Sequence, residues 1–300
     1  MNKKIIISAI TLVSKNKECY LIHNKKITNL LKKYNIKNVK TNKLSILAKD
    51  FFINIDLKTF KKIKSYFKSN TYKGSDLCFQ ENLFRKKKII ACDMDKTAIC
   101  NETVDLIGEI ILKNSQISEL TKKAMSGNVN FNKSIIERTK ILKGISIKEI
   151  NKVISHIKLT KDVDTVIKTM NKNGCHTMLI SGGYDIIANI IGKKIGFKEI
   201  ISNKPISKNG NLTGALKGTI VDGKGKLNFF KNSIKLYNVK KKETLAIGDG
   251  QNDIDMIRFA SLGVSWKGFP KVNKAADALV AHSFKSILYF QGYSDEEIII

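Results

Sequence analysis

The sequence predicts an α/β protein: a Rossmann-like parallel sheet core over residues 85–300 with a helical insertion at about 101–160, preceded by a small α+β domain over residues 1–84. Three observations predict it. Short apolar runs at 89–92, 177–180 and 244–247 end in polar or glycine-rich groups and are separated by helical patterns, as strands buried on both faces of a parallel sheet would be. Between the first and second of these runs lies a long helical stretch with no convincing strand. Residues 1–84 alternate short apolar runs with lysine-rich helical ones in the order β-α-β-β-α-β.

Taken in order, the first domain reads as a strand at 5–13, a helix at 25–34, extended candidates within 44–55, a helix at 57–67 and a strand at 76–80, compatible with a ferredoxin-like sandwich. No ligand motif stands out in it, so a packing or dimerising module is as good a reading as a regulatory one. The run 5–13 is too short, and lacks the cleavage pattern, for a secretion signal. No stretch approaches the ~20 apolar residues a membrane-spanning helix needs. The basic run Arg85-Lys86-Lys87-Lys88 reads as a solvated linker at the domain boundary, with a phosphate-contacting patch as the alternative.

The core is organised around residues 89–97, IIACDMDKT. Asp93 and Asp95 stand two apart at a strand end, where alternate side chains face one side, so both carboxylates can enter one crevice. Like charges that close repel unless a cation lies between them or one holds a proton, which points to a hard divalent metal, an acid and base pair, or both. The D-x-D-x-T pattern ending at Thr97 resembles the first motif of the haloacid dehalogenase (HAD) superfamily of phosphatases. The resemblance implies Asp93 as nucleophile and Asp95 as general acid and base. Lys96 departs from the pattern, standing where Ser or Gly is usual. Pointing outward it would leave Asp95 undisturbed, which is the expectation; pointing inward it would change the acid's pKa.

After Thr97 the pattern turns helical, opened by Glu102 and Asp105, with an apolar stripe at 106, 107, 110, 111 and 112. A helical insertion at this place is similar to the cap of one HAD subfamily, the phosphoserine phosphatases. Glu102 matches that family's glutamate for the substrate ammonium. The stretch from Ala124 to Arg138, with Ser134 between, resembles its A-M-x-G-x-x-x-F-x-x-S-x-x-x-R motif. The resemblance implies that Met125 and Phe131 line the pocket and that Arg138 grips the substrate carboxylate. A planar guanidinium holds a carboxylate by two parallel hydrogen bonds, which lysine cannot reproduce, so an arginine at this register in a lysine-rich chain is informative. A surface arginine and a core phenylalanine are the plain alternative.

A helix at 162–173 leads to the strand 177–180 and then Ser181-Gly182-Gly183, followed by a helical 184–191: close backbone approach and a helix start make an anion seat. The pattern matches the second superfamily motif, implying that Ser181 and Gly182 hold phosphoryl oxygens, with Thr97 beside them. Residues 194–225 read as a hairpin-like excursion with an extended piece at 218–221. Lys226 opens a helix running to 237, a place unfavourable for a lysine unless it has another duty. The resemblance makes it the lysine that neutralises the phosphorylated site; Lys224 is the competitor. The strand 244–247 ends in Gly248-Asp249-Gly250-Gln251-Asn252-Asp253, whose oxygens suit Mg²⁺. The resemblance implies a Mg²⁺ site of Asp93, the Asp95 carbonyl and Asp249, with Asn252 at the substrate and Asp253 in support. A strand at 262–265, Pro270-Lys271 and a final helix complete the core.

Fifty-four Lys and Arg against 26 Asp and Glu leave a net charge of +28. Such a balance could serve nucleic acid or an anionic membrane. The lysines are spread along the whole chain, however, beside abundant Asn and Ile, which reads as compositional bias. The five cysteines form no C-x-x-C pair and the four histidines no metal spacing, so reduced thiols, a cytoplasmic setting and no zinc are expected. The resemblance implies the HAD fold and Mg²⁺-dependent hydrolysis of O-phosphoserine, the last step of serine biosynthesis, through an aspartyl-phosphate. It also implies a small phosphomonoester partner, no nucleic acid, no membrane, and leaves a homodimer open. Proteins of this kind often carry an ACT-like domain ahead of the phosphatase. The alternatives are phosphotransfer to an alcohol such as homoserine, another small phosphomonoester, and, from a different class, a basic nucleic-acid-binding protein on an inactive HAD fold.

Overall fold

The computed structural model describes residues 5–113, 115–125 and 130–299, with the side chains at 69, 124 and 125 outside the description. The first segment contains β1 (Ile5–Ser14), α1 (Lys17–Lys33), β2 (Lys40–Ser45), β3 (Ala48–Asp56), α2 (Leu57–Ser69) and β4 (Ser75–Glu81). Its strands are antiparallel in the order β2-β3-β1-β4. Both helices are capped by side chains: Asn16 accepts from the Cys19 N–H and Asp56 from the Thr59 N–H. The apolar sides of α1 and α2 (Ile27, Leu30, Leu31, Ile63, Phe67) bury the alternate residues Ile10, Leu12, Phe51 and Ile53. Helix α1 begins well before residue 25. Its first half was obscured by Leu21 and Ile22, which are exposed and break the helical stripe.

In the core, β5 (Ile89–Cys92), β6 (His176–Tyr184), β7 (Glu199–Lys208), β9 (Thr244–Gly248), β10 (Leu262–Trp266) and β11 (Ala278–Val280) pair in parallel. The short antiparallel strand β8 (Asn211–Lys217) closes one edge, so the excursion's strands lie at β7 and β8 and not at 218–221. The central strands are apolar throughout because both faces are covered: Ile90 and Cys92 pack into one cluster, Ile89 and Ala91 into another. The chain builds outward from β5 to β6 and β7 on one side, then returns to build β9, β10 and β11 on the other. That reversal opens a crevice at the carboxyl ends of β5, β6 and β9, where Asp93, Ser181 and Asp249 follow.

Between β5 and β6 lie α3 (Thr103–Ile107), α4 (Gln116–Met125), α5 (Phe131–Ile141) and α6 (Ile147–Val153), a helical cap with no strand among its described residues. Its interior, Ile107, Ile117, Ile135, Leu142 and Ile150, is continuous with the main core. Backbone bonds from Gly144 N to Leu212 O (2.8 Å) and Ile147 N to Gly210 O (2.9 Å) tie its far edge to the β7–β8 hairpin. The remaining helices are α7 (Val163–Lys172), α8 (Asp185–Ile195), α9 (Gly223–Leu236), α10 (Ile254–Phe259), α11 (Pro270–Ala275) and α12 (Ser286–Phe290).

The two sheets are one. A single antiparallel bridge, Leu77 to Leu279, joins β4 to β11 and makes an eleven-stranded sheet. The seam is cemented by charge. The buried Asp76 accepts from the Ala281 N–H (2.8 Å) and the Ser286 hydroxyl (2.7 Å). Arg85 donates to Asp50 (2.9 Å), Thr11 (2.9 Å) and the carbonyls of Phe290 (3.1 Å) and Tyr289 (3.2 Å). This corrects the reading of residues 85–88 as a solvated linker: Arg85 and Lys87 are buried while Lys86 and Lys88 face solvent. Lys87 donates to the Lys242 carbonyl and Ser261, and burial brings its pKa down to about 8. Replacing Arg85 by Ala would strand the Asp50 carboxylate in the interior, so unfolding in urea should show a loss of about 3–5 kcal/mol. A loss below about 1 kcal/mol, the range of surface pairs, would mean the bridge is incidental.

Candidate active site

Past β5 Asp93 and Asp95 keep extended backbone angles, and the loop 93–98 is folded back by Lys96 at φ 56°. That left-handed conformation explains why glycine suits the position. The Lys96 ammonium points away from the acids and donates to the Cys100 carbonyl at the surface (3.0 Å). The loop sets Asp93 and Asp95 inward, both buried. Lys226, in the first turn of α9, reaches the same place with its side chain wholly buried. Its ammonium pairs with Asp93 Oδ1 and donates to Asp253 Oδ1 (2.7 Å). Lys224 is exposed, which leaves Lys226 as the lysine of the site. Asp253 Oδ2 in turn accepts the N–H groups of Asp249 (3.2 Å) and Gly250 (3.0 Å), bracing the loop after β9. Thr97 spends its hydroxyl on Asp249 Oδ1 (3.2 Å).

From the β6 side, Ser181 points its hydroxyl at Asp95 Oδ2 (3.4 Å) and accepts the Gly183 N–H (2.9 Å). Asp95 Oδ1 accepts the Thr103 N–H (2.7 Å). A Cβ on Gly183 would come within 3.0–3.1 Å of Thr103 Oγ1, Asp95 Oδ2 and Ser181 Oγ, so the second glycine of the pair is needed for close approach. Asn203 donates to the Gly182 carbonyl and accepts from the Val221 N–H, both at 2.9 Å, and so ties this loop to the one leading into α9.

The cap supplies the remaining wall. Glu102, Phe131 and Arg138 line the cleft together with Asp93, Asp95, Gly182, Gly183, Asp249 and Asn252. Arg138 is buried on α5, its guanidinium held by the Thr121 hydroxyl (2.9 Å), which itself donates to Asp105 (2.5 Å). The side chain of Met125 and residues 126–129 lie outside the described residues. The Phe131 ring presses on Gly182, where a Cβ would stand 2.6 Å from it. Only about 10 Å³ of the cleft is open, barely one water. Outside it, a groove of about 870 Å³ between cap and core meets the cleft at Glu102 and Asp249.

Charge in the cleft is one-sided. Burial, then the neighbouring Asp253, lifts Asp93 well above the usual carboxylate range, with Lys226 pulling the other way. Burial and Asp253 bring Asp249 up to about 7. Burial raises Asp95 against the opposing N–H of Thr103. Glu102 is raised well above its ordinary value by burial and by Asp95 and Asp249. Burial alone would lower Lys226, but Asp253 and Asp93 outweigh it and hold the ammonium above the usual lysine range. Such crowding favours a cation. Carboxylate oxygens of Asp93, Asp249 and Asp253 lie within 4.8 Å of one another, an all-oxygen donor set that fits a hard divalent metal. Asp253, expected in a supporting role, thus stands inside the acidic cluster, although its oxygens are already engaged by Lys226 and two backbone N–H groups.

Thr103, Thr121 and Asn203 were not singled out from the sequence as site residues. All three are neutral and act on other groups of the cleft. Gly183 was visible as the second glycine after Ser181.

The family model described as haloacid dehalogenase-like hydrolase matches residues 90–258. The phosphoserine phosphatase of Saccharomyces cerevisiae is 32% identical over 268 residues, which cover 86% of each chain. A solved phosphoserine phosphatase in a phospho-aspartyl intermediate analogue form is similar over 68% of this chain and 99% of its own, with a TM-score of 0.65 and 32% identity. A HAD family hydrolase from Salmonella enterica serovar Typhi shares the fold across 95% of this chain and 98% of its own, with a TM-score of 0.79 at 22% identity.

Proposed function

We infer the reaction from a premise the comparisons establish: the chain belongs to the haloacid dehalogenase-like hydrolases, on their phosphoserine phosphatase branch. The chain is a phosphoric monoester hydrolase, and its substrate is O-phospho-L-serine. One observation carries the assignment of roles: Asp93, Asp95, Ser181, Lys226 and Asp249, delivered by four separate stretches of chain, meet in one closed cleft. The Asp93 carboxylate attacks phosphorus and becomes an aspartyl-phosphate, dividing one hard displacement into two easier ones. Asp95 protonates the departing serine oxygen and later takes a proton from the attacking water. Ser181, the Gly182 backbone and Lys226 hold the phosphoryl oxygens, and Thr97 and Asp253 keep Asp249 and Lys226 in place. Mg²⁺, held by Asp93, Asp249 and the Asp95 carbonyl, would offset phosphate charge so that an anionic nucleophile can approach.

Glu102 and Arg138 read the amino acid. The burial and crowding of acids that hold Glu102's pKa up are relieved by an ammonium, and Arg138, already fixed by Thr121, has the in-plane N–H edge that takes a carboxylate by parallel hydrogen bonds. Phe131 and Asn252 complete the pocket. The cytoplasm is the setting this reading prefers, on the strength of five cysteines that are all free thiols.

Phosphate release from a panel of phosphomonoesters, with Mg²⁺ and with chelator, tests the assignment. O-phospho-L-serine should be preferred and chelator should abolish turnover. Arg138→Ala should lower kcat/KM for O-phosphoserine by about 10–100-fold, the worth of hydrogen bonds between charged groups. An enzyme indifferent to the amino and carboxyl groups of its substrate would refute the roles of Glu102 and Arg138.

A further inference from the structure

The first helical residue of the cap, Thr103, meets the cleft in two ways that no motif announces. Its N–H donates to Asp95 Oδ1 at 2.7 Å. Its hydroxyl is wholly buried and lies beside the same carboxylate, as a second and weaker contact from the same residue. Oδ2 of Asp95 faces Ser181 Oγ at 3.4 Å and the space over Gly183. The terminal torsion of an aspartate is broad and two-fold, so an untethered carboxylate samples many orientations. A backbone donor on one oxygen removes that freedom. The first N–H groups of a helix have no partner within it, so Thr103 can spend its own on Asp95 without weakening α3.

We propose that the Thr103 N–H is the positioning group of the acid: it fixes Oδ1 as its acceptor and presents Oδ2 to the bridging oxygen of the substrate. This rests on the reading of Asp95 as general acid and deepens it. In that step an Asp93 oxygen bonds to phosphorus, the phosphorus–oxygen bond to the serine side chain breaks, and the proton on Asp95 passes to the departing oxygen. A serine alkoxide cannot leave without that proton. A p-nitrophenolate can.

The local geometry permits a clean deletion of the donor. Proline is favoured at the first helical position, and Glu102 before it is already extended at φ −95° and ψ 110°, as proline requires. Thr103→Pro therefore removes the N–H, while Thr103→Ala keeps it and removes the hydroxyl. The readout is kcat/KM, which reports only steps through leaving-group departure, for O-phospho-L-serine and for p-nitrophenyl phosphate. Thr103→Pro should lose about 10–100-fold on phosphoserine and less than about 3-fold on the aryl ester, and Thr103→Ala, which keeps the N–H, should lose clearly less than Thr103→Pro on phosphoserine. Circular dichroism and urea unfolding check that each variant is folded before its rates are compared. Equal losses on the two substrates, no loss on either, or Thr103→Ala matching Thr103→Pro would overturn the positioning role. Asp95→Asn, measured alongside, should show the same selectivity more strongly. Were it to slow both esters alike, the acid reading itself would fail and this inference with it.

Discussion

Replacing Asp93 by Asn is expected to lower turnover by a factor on the order of 10⁴ or more, the scale seen when a catalytic nucleophile is removed. Asparagine keeps the shape of the side chain, so the neighbours need not move. What disappears is the anion that would attack phosphorus and one of the three carboxylates grouped with Asp249 and Asp253. Mass spectrometry of enzyme quenched during turnover should find phosphate on wild-type Asp93 and none on the variant. The fold should survive, since Lys226 keeps its bond to Asp253 (2.7 Å) and one member of a crowd of buried like charges has gone. Were Asp93→Asn to retain turnover yet unfold easily, Asp93 would be a structural partner of Lys226 and the covalent mechanism would be lost.

How much of this was legible beforehand depended on how each residue declares itself. Strands β5, β6 and β9 were readable because burial on both faces makes them short apolar runs, against which Asp93, Ser181 and Asp249 stand out. Lys226 was readable only by register; the structure decides it by leaving Lys224 exposed two residues away, on another side of the helix. Strand β11, three residues long, gave no period to detect, and with it the seam between the two sheets went unseen. Arg85 and Lys87 were misread for a general reason. In a chain with 54 basic residues, charge alone no longer marks the surface, and only the alternation of buried and exposed side chains across 85–88 would have marked a packed segment. Thr103 and Asn203 act through or upon backbone groups, and a residue chosen for where it puts an N–H carries no chemical signature in its letter.

Lys226→Met is the substitution expected to damage stability most within the site. The ammonium is fully buried and sits between Asp93 and Asp253, so its removal leaves two carboxylates facing each other without a cation. Breaking a buried pair by deleting one partner costs about 3–5 kcal/mol, because the remaining charge stays desolvated. Unfolding in urea should therefore shift by that amount in metal-free buffer, with turnover lost as well. The sign with pH is fixed by the direction of the shift. A lysine held above its ordinary value stabilises while protonated, and its partners do so while ionised, so the difference between wild type and variant should be lost in the alkaline range where lysines deprotonate and should shrink toward acid as Asp93 and Asp249, both raised, take up protons. Adding Asp253→Asn to Lys226→Met removes one stranded charge, while the amide oxygen can still accept an N–H from the loop at 249–250. The double variant should regain part of the lost stability and none of the activity, a non-additivity expected only of groups in direct contact. If the two losses simply added, Lys226 would owe its place to packing, and its role as the counter-charge of the nucleophile would have to be given up.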